Sequence, residues 1–550
     1  MKMPAVAGAF LLLAAWNARA AGVYAVWYTA NPQVLSLPYV SGGQIQLQWS
    51  DLQTGPSTYT WGLLDSALAA DVGQTVTVQV NGNTKPAYLF NVVPYTPNWG
   101  NVQVQDPKGV LMYWHPTYES AYMGFLSALA AHLDASPHRS GLLGLRMNFD
   151  AIGTEFLDVP TANQKAATWT VPNGVSNGPD WTKSLETNYE TQVMTADLTG
   201  FGTSPSSIRV FMRYNMDSSI LASQAAGQPS GFTYSSYLQN GQLYIFQTGA
   251  SMEPAGGLAI FFTYALPGLT VGYAEPVSDS YGNHAGISDT LWCPPVQWNY
   301  WRLLSDLNMG VSDIAVYGDD LLIAYSGKYS GATLPDYQTQ YDQAFRFAAR
   351  YAGHHADPAE APGAWIAFRQ STTAFTGHPT WAADYTRFIT LLNPQETIGM
   401  DARKDGAPAP VIAKKTVAGE NTIGPYNQRF GAWARSIPAG NTAELQFNQT
   451  FLNAVNSIGG AAVNVTYLDD IAGASFTTNF GTQSVTTKLG NSGLWQTITI
   501  PVTSKFAADA KGGHIAITSA GGAVTFHMVE VTKPAGAAGT GQGNRHRKRP

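Results

Sequence analysis

From residue 22 onward the chain alternates short apolar runs with amphipathic stretches. Runs at residues 23–28, 44–49, 75–80, 142–149, 208–214, 243–247, 269–273 and 312–317 have the length and composition of buried strands. Between them, Trp61, Leu64, Ala67 and Leu68, and later Tyr122, Phe125, Leu126 and Leu129, recur at the three-and-four spacing of a helix with one apolar face. A last such helix covers residues 341–351, where Tyr341, Phe345 and Ala348 alternate with Asp342 and Arg346. Eight strand–helix units predict the α/β class, a (β/α)8 TIM barrel over residues 22–353. Polar insertions blur the period over 156–207 and 250–268.

The pattern changes after Gly353. Residues 354–414, rich in His, Ala and Pro at their start, read as connecting structure. Strand patterns at 444–447, 462–468, 475–479, 495–502, 514–518 and 524–531 then predict a C-terminal antiparallel β-sandwich over 415–533. Val463, Val465 and Tyr467 fall on one face of their strand, and Thr497 and Thr499 fall opposite Ile498 and Ile500. That parity predicts one core face and one wet face. The Gly/Ala-rich segment 534–550, ending in a basic cluster, reads as a disordered tail.

Composition narrows the classes. Among 550 residues, one cysteine and 12% charged residues exclude a disulfide scaffold and a charge-rich disordered chain. A net charge of −6 gives no broad basic field, so nucleic acid is not an expected partner. Lys2, an apolar run over 5–16 and the small residues Ala18, Ala20 and Ala21 read as a signal peptide over residues 1–21, cleaved near Ala20/Ala21. The expected location is secreted or periplasmic, with no membrane span, because no apolar run reaches the ~20 residues a bilayer requires. Cys293 has no disulfide partner. The histidines lack HExxH spacing, and neither a phosphate-cradling loop nor a convincing nucleophile elbow occurs, so no metal and no cofactor are expected.

In a parallel barrel the chemistry sits where strands end and loops open a pocket. The fourth strand leads through Asn148-Phe149-Asp150 to Thr154-Glu155, and the seventh ends Tyr273-Ala274-Glu275. Two carboxyl groups on different strands are what a retaining glycosidase needs, one to protonate the leaving oxygen and one to attack the anomeric carbon. Asp217, Glu253 and the pair Asp319-Asp320 compete for the second role. Sugar rings also need aromatic platforms and polar readers of hydroxyls. Trp27, Trp49, Trp114, Tyr214, Tyr273 and Tyr317 lie at or just after strand ends, with Asp51, Gln79, Asn81, His115 and Asn148 beside them. Arg146 and Arg213 lie inside strands, where a charge needs a partner. In the sandwich, Trp433 and Trp495 are the aromatics to test for a ligand face, and Asp469-Asp470 is a solvated turn or a calcium ligand.

These residues resemble the retaining glycoside hydrolases of clan A. The likeness includes the segment 43–52, Tyr59-Thr60-Trp61-Gly62-Leu63-Leu64-Asp65 and Lys85-Pro86-Ala87-Tyr88-Leu89, similar to family-five-like and family-forty-two-like barrels, and covers residues 22 to about 352. It implies Glu155 as general acid/base and Glu275 as nucleophile, acting on a β-linked poly- or oligosaccharide. One position departs from the pattern: many members carry asparagine before the acid/base, and here Thr154 stands there. The competing reading is a non-catalytic glycan-binding or cell-surface protein on a barrel that has lost its chemistry, with a lyase or carbohydrate esterase third.

Overall fold

The computed structural model describes residues 21–71, 73–146, 148–154, 156–202, 208–213, 243–248, 271–275, 293–329, 332–333, 335–369, 384–402 and 422–534, with backbone only at 202, 212–213, 243–248, 271–275, 332 and 335. Residues 1–20 of the proposed leader, 535–550 of the proposed tail, Glu155, Tyr214, Asp217 and Glu253 lie outside the described residues. The chain divides into two compact units, one of Tyr24–Trp27 and Ser41–Thr248, the other of Tyr28–Val40 and the residues from 249 onward together with those up to Val23.

The first unit is built on a parallel sheet. Its strands are β1 (Gly22–Val26), β2 (Val40–Gln48), β3 (Val76–Asn81), β4 (Leu142–Arg146), β5 (Arg209–Arg213) and β6 (Leu243–Thr248). From β2 to β6 each pairs parallel with the next in chain order, and β1 lies beside β2. Parallel neighbours require crossover connections, and α1 (Gly62–Ala70), α2 (Pro116–Ala135) and α3 (Lys183–Asp197) lie in three of them. Helix α2 starts where the sequence dictates: Pro116 fits the first turn, and the His115 side chain accepts from the Thr117 N–H. Its buried Tyr118, Tyr122, Phe125, Leu126, Leu129 and Leu133 form one stripe.

The second unit holds the parallel pair β7 (Val271–Glu275) and β8 (Val311–Tyr317), joined through α4 (Pro295–Met309) and followed by α5 (Gly318–Ser326) and α6 (Pro335–Tyr351). All eight strands expected from the apolar runs are present as strands, shifted at their ends by up to four residues.

Two antiparallel sheets follow. One carries β9 (Gly363–Ala367), β10 (Tyr385–Arg387), β12 (Ile398–Asp401), β13 (Trp433–Ile437), β15 (Ala462–Asp469), β18 (Leu494–Pro501) and β20 (Val524–Thr532); the other carries β11 (Ile389–Leu391), β14 (Thr442–Phe447), β16 (Ser475–Phe480), β17 (Gln483–Lys488) and β19 (Ile515–Ala520). The core includes Ile366, Leu445, Phe447, Val463, Val465, Phe476, Ile515, Ile517, Phe526, Val529 and Val531. Helix α7 (Gln449–Ser457) adds Phe451 and Val455. The sheets begin earlier in the chain than the strand pattern implies. Strands β9, β10, β11 and β12 lie within 354–414, expected as connecting structure, and β9 pairs with β20 along Gly363–Ala367. They are only three to five residues long, too short for a period of two to register.

The expected core and wet faces hold where they were read, with Val463, Val465 and Tyr467 buried and Thr497 and Thr499 exposed beside buried Ile500, but no wet face extends to β20. His527 and Glu530 stand among the core residues Phe526, Val529 and Val531, and both are buried. Helices α4 and α6 cover that side. The Trp301 ring packs 4.9 Å from Trp433 and 5.1 Å from His527, Tyr300 lies 5.4 Å from His527, and Trp365 lies 5.6 Å from Phe347. Glu530 accepts from Tyr351 Oη at 2.7 Å, Arg350 at 3.2 Å and Asn464 at 3.0 Å. With a sheet against it, every residue of α4 except Asn308 is buried, whereas a helix facing water keeps a polar stripe. Trp433 and Trp495 are thus packing residues with almost no exposure, which leaves them no ligand face. Asp469 accepts from Asn491 N–H, Ser492 N–H and Ser492 Oγ, so it closes the 490–493 turn.

Candidate functional site

The site lies in the first unit, where the strands' register stacks polar side chains in layers. Gln46 stands opposite Gln79, and Gln79 opposite Arg146; one step further, Gln48 stands opposite Asn81. Alternation puts Gln44, Gln46 and Gln48 on one face of β2, and Gln79 and Asn81 on the matching face of β3. Hydrogen bonds knit the layers. Gln46 Nε2 donates to Gln44 Oε1 at 2.8 Å and to Gln79 Oε1 at 3.3 Å, and Arg146 Nη1 donates to Gln79 Oε1 at 2.8 Å. Gln79 Nε2 donates to Asn81 Oδ1 at 2.6 Å, and Asn148 Nδ2 reaches both Asn81 Oδ1 at 3.1 Å and Val80 O at 2.5 Å. Among the described residues, none donates to the buried Asn148 Oδ1.

Past the strand ends, three tyrosines hold the β4 exit. Tyr122 Oη donates to Asn148 O at 2.9 Å, Tyr189 Oη to Phe149 O at 2.5 Å, and Tyr118 Oη to Asp150 O. Thus α2 and α3 satisfy three successive carbonyls. Asp150 itself has left-handed backbone, φ 49°, and is fully buried beside Gly82, where a Cβ would come within 2.7 Å of the Asp150 Cβ. Burial pushes the Asp150 carboxyl up to about 8. Lys85, also buried, donates to Gly82 O at 2.6 Å and to Gly153 O at 3.3 Å, and burial lowers its ammonium to about 8.

The expected site residues fall into separate groups. Gln79, Asn81 and Asn148 are joined in the ladder just described. Asp51 is exposed and accepts from the Gln48 N–H at 3.1 Å, shaping the turn after β2. Trp49 is fully buried against Tyr118, Tyr122 and Phe125, with its Nε1 donating to Gln53 Oε1 at 2.8 Å. Trp114 is enclosed by Tyr113 and Trp169 and donates to Pro179 O at 2.9 Å. His115 caps α2, and its Nε2 lies 3.3 Å from Ser176 Oγ. Those three serve packing and capping rather than presenting a free surface. Trp27 contrasts with them, being 55% exposed and in left-handed backbone, φ 49°, directly after β1. Such backbone is an outlier for a bulky residue.

In the second unit Tyr273 pairs through its backbone with Asp313, and Glu275 is the last residue of β7; their side chains lie outside the described atoms. Tyr317 ends β8, is buried, and precedes α5, whose first turn holds Asp319 and Asp320. Asp319 Oδ1 accepts from Asn31 Nδ2 at 3.2 Å. Among the described residues no group of three His, Cys, Asp or Glu side chains could hold a metal ion, and no helix is long and apolar enough to cross a membrane.

Comparison with known proteins adds likenesses without a family. No family model matches the chain, and no curated protein matches it. Among solved structures, the chain is similar to a glycoside hydrolase family 30 subfamily 8 xylanase from Clostridium acetobutylicum, with 12% identity, 94% of this chain and 96% of that one covered, and a TM-score of 0.33. It is also similar to a glycoside hydrolase family 5 structure from Bacteroides vulgatus, with 11% identity over 88% and 89% and a TM-score of 0.23. A carbohydrate-binding module from Cellvibrio mixtus lichenase 5A matches 19% of this chain and 79% of its own, with 14% identity and a TM-score of 0.13. The functional reading is therefore carried by this chain's own residues.

Proposed function

We propose that the chain is an exported retaining glycoside hydrolase acting on a β-linked poly- or oligosaccharide. The observation that supports this is the ladder of Gln46, Gln79, Asn81, Arg146 and Asn148 on one face of a parallel sheet, ending in a buried amide oxygen with no donor among the described residues. Amides and a guanidinium held rigidly at strand ends suit a ligand that is dense in hydroxyls and carries little apolar surface.

In this reading the eight parallel strands close into a (β/α)8 barrel followed by the β-sandwich. Glu155 protonates the departing oxygen while Glu275 attacks the anomeric carbon. Water then attacks the glycosyl-enzyme with Glu155 acting as base. Such a pair works at a carboxyl separation of roughly 5 Å. The reaction needs no cofactor.

A second reading, a glycan-binding protein without catalysis, is favoured by one feature, Thr154 where related barrels carry asparagine. The test is a screen of residues 22–533 against plant, algal and bacterial polysaccharides, with Glu155→Ala and Glu275→Gln in parallel. Reducing ends released by wild type and by neither variant would support the hydrolase. Equal glycan binding by all three proteins without release would support the second reading.

A further inference from the structure

We infer that Asn83 and Thr154 form a latch that positions the general acid, so that Asn83 is a positioning residue for proton donation. The inference rests on the hydrolase reading and deepens it. Asn83 Oδ1 accepts from Thr154 Oγ1 at 3.0 Å and from Gln48 Nε2 at 3.3 Å, while its Nδ2 donates to Gln103 O at 2.8 Å. Gln103 Oε1 in turn accepts from the Thr154 N–H at 3.1 Å, and Asn83 O accepts from the Gln105 N–H at 2.9 Å. One amide therefore ties the exits of β2, β3 and β4 to the long loop before α2.

Thr154 is buried, and its hydroxyl and N–H are both spent on this network. On either side of position 155 the backbone is closed by hydrogen bonds from Asp150 N–H to Thr154 O at 2.8 Å and from Ile152 N–H to Phe156 O at 2.9 Å. Gly153 lies so close to the loop that an added Cβ would stand 2.4 Å from the Gln103 Cβ. The departure from asparagine thus has a physical role: the threonine hydroxyl points its hydrogen bond back into the scaffold and fixes Thr154, the residue before the proposed acid.

A latch acting on the acid has a signature that simple destabilisation lacks. Departure of 2,4-dinitrophenolate needs no protonation, whereas phenoxide departure does. Thr154→Val and Asn83→Ala should lower kcat/KM for phenyl β-cellobioside and β-xylobioside by about 10- to 100-fold. For the 2,4-dinitrophenyl analogues the loss should stay within about threefold, and Thr154→Ser, which keeps the donor, should restore most of the phenyl-glycoside activity. Glu155→Gln serves as the benchmark. Equal losses on both leaving groups in Thr154→Val, beside a leaving-group-dependent loss in Glu155→Gln, would overturn the latch and leave the hydrolase reading standing. Wild type inactive on all four glycosides, or Glu155→Gln as active as wild type, would overturn both.

Discussion

Removing one phenolic oxygen at a time from Tyr118, Tyr122 and Tyr189 tests whether the β4 exit is held as described. In Tyr122→Phe and Tyr189→Phe the ring stays and only the donor to Asn148 O or Phe149 O is lost. Both rings are fully enclosed, so the deserted carbonyl has little access to water. A buried acceptor left unmade costs about 1–3 kcal/mol, while the net gain from an exposed hydrogen bond is near 1 kcal/mol or less. Tyr59→Phe is the control, because its hydroxyl reaches Gly124 O at 3.3 Å in an exposed setting, and its loss should cost under ~0.5 kcal/mol. Because the three carbonyls are consecutive, a double variant should depart from additivity by about 0.5 kcal/mol or more. Urea unfolding at unchanged m would read these differences from the midpoints. If Tyr122→Phe and Tyr189→Phe cost no more than Tyr59→Phe, the clamp is not what holds the segment.

Other consequences follow from the same contacts. Burial raises the Asp150 carboxyl to about 8, so from about 4 to about 8 the native state holds a proton the unfolded chain has released; stability should fall as pH rises through that window, with a shallower slope for Asp150→Asn in urea titrations at several pH values. His527 runs the opposite way: burial and the Arg429 charge hold its imidazole well below the ordinary value, so stability should fall as pH drops below about 6.5. Unfolding midpoints of His527→Phe should show less of that acid loss. Gly82→Ala would place a Cβ 2.6 Å from Gly153 O, and the displaced turn should cost about 1–3 kcal/mol by urea unfolding. Cutting the chain after residue 353 would uncover Tyr300 and Trp301 of α4, which pack on His527 and Trp433; that fragment should aggregate or bind a hydrophobic dye, and a monomeric, cooperatively unfolding product would refute the reasoning that α4 needs the sheet against it.

How much of this was legible in the sequence depended on burial and length. Parallel strands with both faces covered register as apolar runs because they are nearly continuous in apolar residues, as in Val311–Tyr317, where every residue is buried. The strands at Ile389–Leu391 and Tyr385–Arg387 carried no such signal, since three residues cannot show alternation. Strand β20 was hard to read for another reason. His527 and Glu530 stand three residues apart across a register shift against β15, so no simple alternation marks their side; a ring box of Tyr300, Trp301 and Phe430 receives His527, and Tyr351 with Arg350 receives Glu530. Local polarity does not reveal a partner that lies far away in the chain.

The site shows the same limit in reverse. Gln44, Gln46 and Gln48 alternate with Ile45 and Leu47, a pattern that on its own describes an edge strand facing water. In a parallel sheet the crossover helices take the apolar side, so the polar side faces inward, where it must be hydrogen-bonded to be tolerated. Gln46 and Gln79 meet that demand through each other and through Arg146. The alternation was therefore the available signal for the ladder, and fold class had to be decided before its meaning could be. Asn83 gave no such signal. It follows its strand in a turn of Gly, Asn, Thr and Lys, a composition that ordinarily means a solvated bend. Its role exists only because Gln103 and Thr154 arrive from 20 and 71 residues further along the chain, and the register that aligns β3 with β4 is what brings those ends together.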